Sequence, residues 1–209
     1  SILSPEQIQE GWLKHIRDEE ENFLWVSNQT AFDHMKTGML PPETGRPENN
    51  ENYMMIDAQL TTEVFGFFAP ARPDIALKMA ELPIRTTAYE DAAWISEYYV
   101  IMYSLASYVD QELSMKEKIL WMANESRKRL PEDSYSSKMF DFVKHQYDSG
   151  VSWETARDAV YQRYQVEQKD GYDITSKNVY CNGCFAAGIN YAASIISLLY
   201  GEGDLKETI

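Results

Sequence analysis

Residues 183–200 read GCFAAGINYAASIISLLY, a run without one charged side chain. A helix that is apolar nearly all round is buried in a large core or spans a membrane. The run is about as long as a membrane span. It carries Asn190, Ser194, Ser197 and two glycines, however, and lacks basic residues at its flanks. The expectation is therefore a central helix of a soluble core. Gly201-Glu202-Gly203 breaks the run. Asp204, with Glu207 three places on, then has the spacing of a capping box. That helix opens and stops within a turn or two, so the chain reads as cut short of a further segment.

Working outward, residues 91–109 repeat the pattern, with Glu97 as the lone interior charge. An unpaired carboxylate there is costly unless it is ion-paired or hydrogen-bonded. A buried pair and a site role are both open for Glu97. The other helices announce themselves by their caps. Ser4, Pro5 and Gln7 open the first with a capping box and a proline at its first position. Ser114 and Glu117 open another, reaching about Leu130. Further helices are expected over 22–36, 56–68, from Pro73 to about Leu82, 134–148 and 152–166. Residues 37–52 hold Gly38, Pro41, Pro42, Gly45, Pro47 and three asparagines, which predicts a long loop. Loops of that length are often functional. No strand or internal repeat is evident. The fold class is all-α, a compact multi-helix bundle of about nine helices around two apolar central ones.

At 209 residues, 44% apolar and 25% charged, the chain suits a single domain, 1–209, with a substantial core. Its net charge of −14 argues against nucleic acid or an anionic membrane as partner, since both require a basic face. The run Asp18-Glu19-Glu20-Glu21 reads as a solvated helix face. Cys181 and Cys184 form a C-x-x-C pair. Without a surrounding βαβ pattern, two small buried thiols on a core helix are expected rather than a redox site. With no disulfide framework and no basic leader, the expected location is cytoplasmic.

Nucleotide-loop, zinc-protease and serine-hydrolase motifs are absent. His15, His34 and His145 stand apart. The carboxylates placed for chemistry lie beside the loops: Asp57, Glu63, Glu90, Asp91 and Glu97.

Several segments, in one order along nearly the whole chain, resemble the ADP-ribosylglycohydrolase family, whose relatives include J1 crystallins. They are Phe23 to Asn28, Gly38 to Pro42 with Gly45, and Ile56-Asp57-Ala58-Gln59-Leu60 followed by Gly66, Ala69-Pro70 and Pro73. Tyr89-Glu90-Asp91-Ala92-Ala93-Trp94 resembles a Y-G-D-G-V-Y segment. Asn182-Gly183 and Leu198 to Asp204 resemble L-N-G and L-L-Y-G-x-G-D. Within the segment 89–96, the pattern's glycines are Glu90, Ala92 and Ser96 here.

The resemblance implies an all-α hydrolase of glycosidic bonds to ADP-ribose, using Mg²⁺ or Mn²⁺. Its metal-ligand motifs, one expected before Ser1 and one after the helix opened by Asp204, are not in this chain. No metal ligand is therefore assigned among these residues. By position in the pattern, Asp91 is the candidate catalytic carboxylate, with an N-cap of its own helix as the competing role. Asp57, Gln59, Tyr89, Glu90, Trp94 and Asn182 are candidate substrate contacts, with a helix cap the competing role for Asp57 and a bond to a loop backbone that for Asn182, and 38–52 is a candidate lid or specificity element. For Trp94, core packing competes with stacking on the substrate. The partner would be an ADP-ribosylated protein or a small ADP-ribosyl compound. The alternatives are a catalytically inactive binding or crystallin-like member of the same fold, or an unrelated helical interaction domain.

Overall fold

The computed structural model describes residues 2–17, 23–173 and 183–208. The acidic run 18–21, Cys181 and Asn182 lie outside them. Among the described residues the chain is all-α, and its strand content is a single isolated bridge between Met55 and Ala186.

Helix α1 spans Pro5–His15, with the capping box of Ser4 and Gln7 closed in both directions. Helix α2 is Val26–Lys36, and α3 and α4 are Asp57–Thr62 and Val64–Phe68. The single helix expected over 56–68 thus breaks at Glu63. Helix α5, Pro73–Arg85, runs through Pro83 rather than stopping before it. Proline lacks the N–H for one helical bond, and here that loss falls within the last turn, where Thr86 Oγ1 donates to the Leu82 carbonyl.

Helix α6, Glu90–Leu105, is the central one and packs against α3, α4, α5, α7, α8 and α10. Helix α7 is Met115–Arg127, α8 Tyr135–Asp148 and α9 Trp153–Val160. A wider π turn, Tyr161–Val166, extends α9. Helix α10 is Ala187–Gly201 and α11 Leu205–Thr208, the latter opened by Asp204 Oδ1 accepting the Lys206 N–H.

The two nearly uncharged stretches lie side by side. Tyr98 and Tyr99 of α6 meet the Tyr191 ring of α10 edge-on, with centroids 5.1 and 6.2 Å apart. Such T-shaped pairs set the positive ring edge against the negative face. Gly66 allows α4 to approach α6 closely: a Cβ there would lie 2.5 Å from the Val100 carbonyl oxygen.

Two expectations require correction. Cys184 is not a buried thiol on the central helix. It is exposed, lies before α10 begins, and is disulfide-bonded. Residues 38–52 are not a free lid. Asn50, fully buried, donates from Nδ2 to the carbonyls of Ser27 and Thr44. Thr44 Oγ1 donates to the Thr86 carbonyl, and Gly45 packs directly on the backbone of 85–87. Side-chain amides and hydroxyls satisfy the loop backbone, so it is fixed without regular structure.

Candidate functional site

The helix starts converge on one short segment. Tyr53 accepts the Tyr89 N–H at its carbonyl, where α6 begins. Ile56 donates to the Phe185 carbonyl and Met54 accepts from Ala187, where α10 begins. Residues 53–56 therefore join the starts of α3, α6 and α10.

Asp91 adds α8 to this junction. Its Oδ1 accepts the Ser136 N–H at 2.8 Å, in the first turn of α8. It does not cap its own helix, because the N-cap position of α6 is Tyr89. Burial pushes the Asp91 carboxyl above the usual aspartate value, and the charge on Glu90 adds to this, while hydrogen bonds from Ser136 oppose it. A half-buried carboxylate kept closer to protonation is suited to exchange a proton with a bound water.

Glu90 is exposed, and its carboxylate accepts from the Tyr53 hydroxyl at 3.3 Å. Its backbone is left-handed, φ +50°, a conformation that disfavours any side chain with a Cβ. Burial, with Glu90 second, raises the Tyr53 phenol. Tyr135 and Tyr172 complete the surroundings. Their rings meet edge-on at 5.1 Å, and both lie so close to Gly188 that a Cβ there would fall 2.6–2.8 Å from them. The sequence reading missed Tyr53, Tyr135, Tyr172 and Ser136. None belongs to a local motif, and the available hint is the chain's fourteen tyrosines.

The remaining candidates diverge from this cluster. Asp57 is 1% exposed, which places it behind the surface rather than along a cleft. Its Oδ1 accepts the Asn28 N–H at 3.0 Å, so it caps α2 across space, while Oδ2 has no hydrogen-bond partner among the described residues. Burial raises its carboxyl, with hydrogen bonds from Asn28 opposing. The Ser27 hydroxyl lies near enough to lower it a little, without good bonding geometry. Gln59, two residues further along α3, faces α10 instead.

The Tyr89 hydroxyl donates to the Pro42 carbonyl at 3.4 Å. Guanidinium groups of Arg46 and Arg85 stand 5.9 and 5.3 Å from its ring centre. Trp94 packs on the hydrophobic core. Glu97 is a buried ion pair: Arg85 Nη2 and Arg129 Nε approach its two oxygens at 3.4 and 2.8 Å. Asn182 lies outside the described residues.

Among the described residues, no group of three His, Cys, Asp or Glu side chains is placed to hold a metal ion. No helix among them is long and apolar enough to cross a membrane. Comparison with protein-family models, curated proteins and solved structures finds no match.

Proposed function

We propose that the chain is part of a hydrolase of the ADP-ribosylglycohydrolase type, cleaving a glycosidic bond to ADP-ribose or a related ribosyl compound. The observation that carries this reading is the backbone at Glu90. The family segment that Tyr89 to Trp94 resembles has a glycine at this position, and the backbone here takes the left-handed conformation that glycine adopts most readily. The neighbouring acid of that segment, Asp91, is a half-buried carboxylate with a raised proton affinity.

In this reading Asp91 takes a proton from a water as the water oxygen bonds to the anomeric carbon and the glycosidic bond breaks. The Ser136 N–H fixes the carboxylate's orientation. Tyr53 holds Glu90 beside it, and the Glu90 charge favours proton uptake at Asp91. The Mg²⁺ or Mn²⁺ implied by the resemblance finds no fitting ligand group among the described residues, so no step is routed through it. The substrate would be an ADP-ribosylated protein or a small ADP-ribosyl compound.

A binding-only member of the same fold is the second reading. It is favoured by the use of both Asp57 and Asp91 as caps of distant helices. The test is release of free ADP-ribose from a mono-ADP-ribosylated protein in the presence of Mg²⁺ or Mn²⁺. Turnover that drops at least 100-fold in Asp91→Asn, on the scale of a lost general base, supports hydrolysis. ADP-ribose binding by calorimetry with no release in the parent protein supports the second reading.

A further inference from the structure

Three donors converge on the carboxylate of Asp170. Arg163 donates to both oxygens, from Nε at 3.0 Å and from Nη2 at 3.1 Å, and the Tyr164 hydroxyl adds a bond of 2.9 Å. A guanidinium fork on a carboxylate fixes direction as well as distance. Arg163 and Tyr164 lie in the π turn that extends α9, a rare backbone form found often at functional sites. Asp170 lies in the tight turn Lys169–Gly171, where its own φ is +62° and that of the preceding Gln168 is +49°. Left-handed backbone persists in residues with a Cβ only where the surroundings hold it.

This clamp seats Tyr172. The Tyr172 N–H closes the turn on the Lys169 carbonyl. Its buried ring meets Tyr135 edge-on at 5.1 Å and Tyr164 at 6.0 Å, and on a third side lies against Gly188. Two links run from there to the candidate site. Tyr135 precedes Ser136, and both backbone N–H groups reach the Asp91 carboxyl. The charge on Asp91 is in turn the leading one felt by the Tyr135 phenol. Asp173 follows Tyr172, and its charge acts on the Tyr53 phenol together with those of Glu90 and Asp91. The place of these rings beside Asp91 thus depends on contacts at 163–170.

We propose that Arg163 and Asp170 are positioning residues of the candidate site: through Tyr172 and Tyr135 they hold the ring wall that closes the α8 side of Asp91 to bulk water. Rings in place of water favour a protonated carboxyl, and a general base works best when its proton affinity is matched to the working pH. The inference rests on the reading of Asp91 as the carboxylate that takes a proton. Its test reads that carboxyl directly and needs no turnover.

The measurement is the titration midpoint of Asp91, followed by carbon NMR with the resonance identified by its loss in Asp91→Asn. Facing this carboxyl are Glu90 on α6, Tyr53, and Tyr135 at the start of α8, all left unaltered. Arg163→Met keeps an apolar stem and removes the fork. The midpoint should fall by about 0.5 or more toward the ordinary aspartate value of about 3.9. The sign is decisive, because loss of a cation by itself raises a carboxyl. Tyr164→Phe changes no charge and keeps the ring. It should lower the midpoint by less, and it carries the test alone if circular dichroism shows Arg163→Met unfolded. A clamp of purely local use would lower the melting temperature and leave the midpoint where it was. That result would overturn the proposal, as would a rise, or a parent midpoint already near 3.9. Midpoints that fall as expected in a protein that releases no ADP-ribose would end the hydrolytic reading and leave the wall standing.

Discussion

Asp91 accepts the backbone N–H of Ser136, so a carboxylate in the first turn of α6 caps the first turn of α8. The side chain has a structural use independent of any chemistry, and two substitutions separate these uses. Asp91→Asn keeps an acceptor for the amide, whereas Asp91→Ala removes it. We expect Asp91→Ala to lower stability by about 1 kcal/mol, the usual worth of a cap, and Asp91→Asn by clearly less. Urea denaturation checks this. Equal losses would mean that the cap is not what the side chain contributes.

Glu97 is closed off from solvent between Arg85 and Arg129. Removing one member of a buried ion pair leaves the other charge uncompensated. Glu97→Ala should cost about 3 kcal/mol, measured as a lower denaturation midpoint. Arg129→Ala should cost less, because Arg129 is half exposed and Arg85 remains in place.

Asp57 governs a pH dependence. Its folded carboxyl is raised by burial, so folding favours the protonated form. The stability it contributes is fully present below the ordinary aspartate value and is lost as pH rises through the raised folded value. Asp57→Asn cannot ionise and retains an acceptor for Asn28. Its stability relative to the parent should therefore improve as pH rises from about 3.5, near the unfolded aspartate value, to neutrality. A stability difference that stays flat across a pH series of thermal melts would refute this.

Glu90 carries a side chain at positive φ. Relief of left-handed strain is worth about 1 kcal/mol, more than an exposed 3.3 Å hydrogen bond to Tyr53 is expected to return. Glu90→Gly should raise the melting temperature. A lower one would show that the Tyr53 contact outweighs the strain.

The helices with local signals were legible in sequence. Ser4 with Gln7 and Ser114 with Glu117 close their boxes as expected, because donor and acceptor lie three residues apart. The central pair was legible for the same reason that it is buried: neither helix offers a charged face. The caps made by Asp57 and Asp91 were not legible, since their partners lie 29 and 45 residues away. Nor was the order in 38–52, which depends on the Asn50 amide reaching Ser27. Asp57 and Gln59 resemble one motif, yet two residues along a helix turn them about 200° apart, one toward α2 and the other toward α10.

The bridge between Met55 and Ala186 has a dynamic consequence. Ile56 and Ala187 donate in opposite directions across it, to Phe185 and Met54. Parting the start of α10 from residues 53–56 must expose both amides in one event. Under native conditions their hydrogen-exchange rates should therefore converge on a common opening equilibrium. Exchange at these two amides would then report the parting of α10 from residues 53–56 as one event, separately from the contacts that hold α6 and α8.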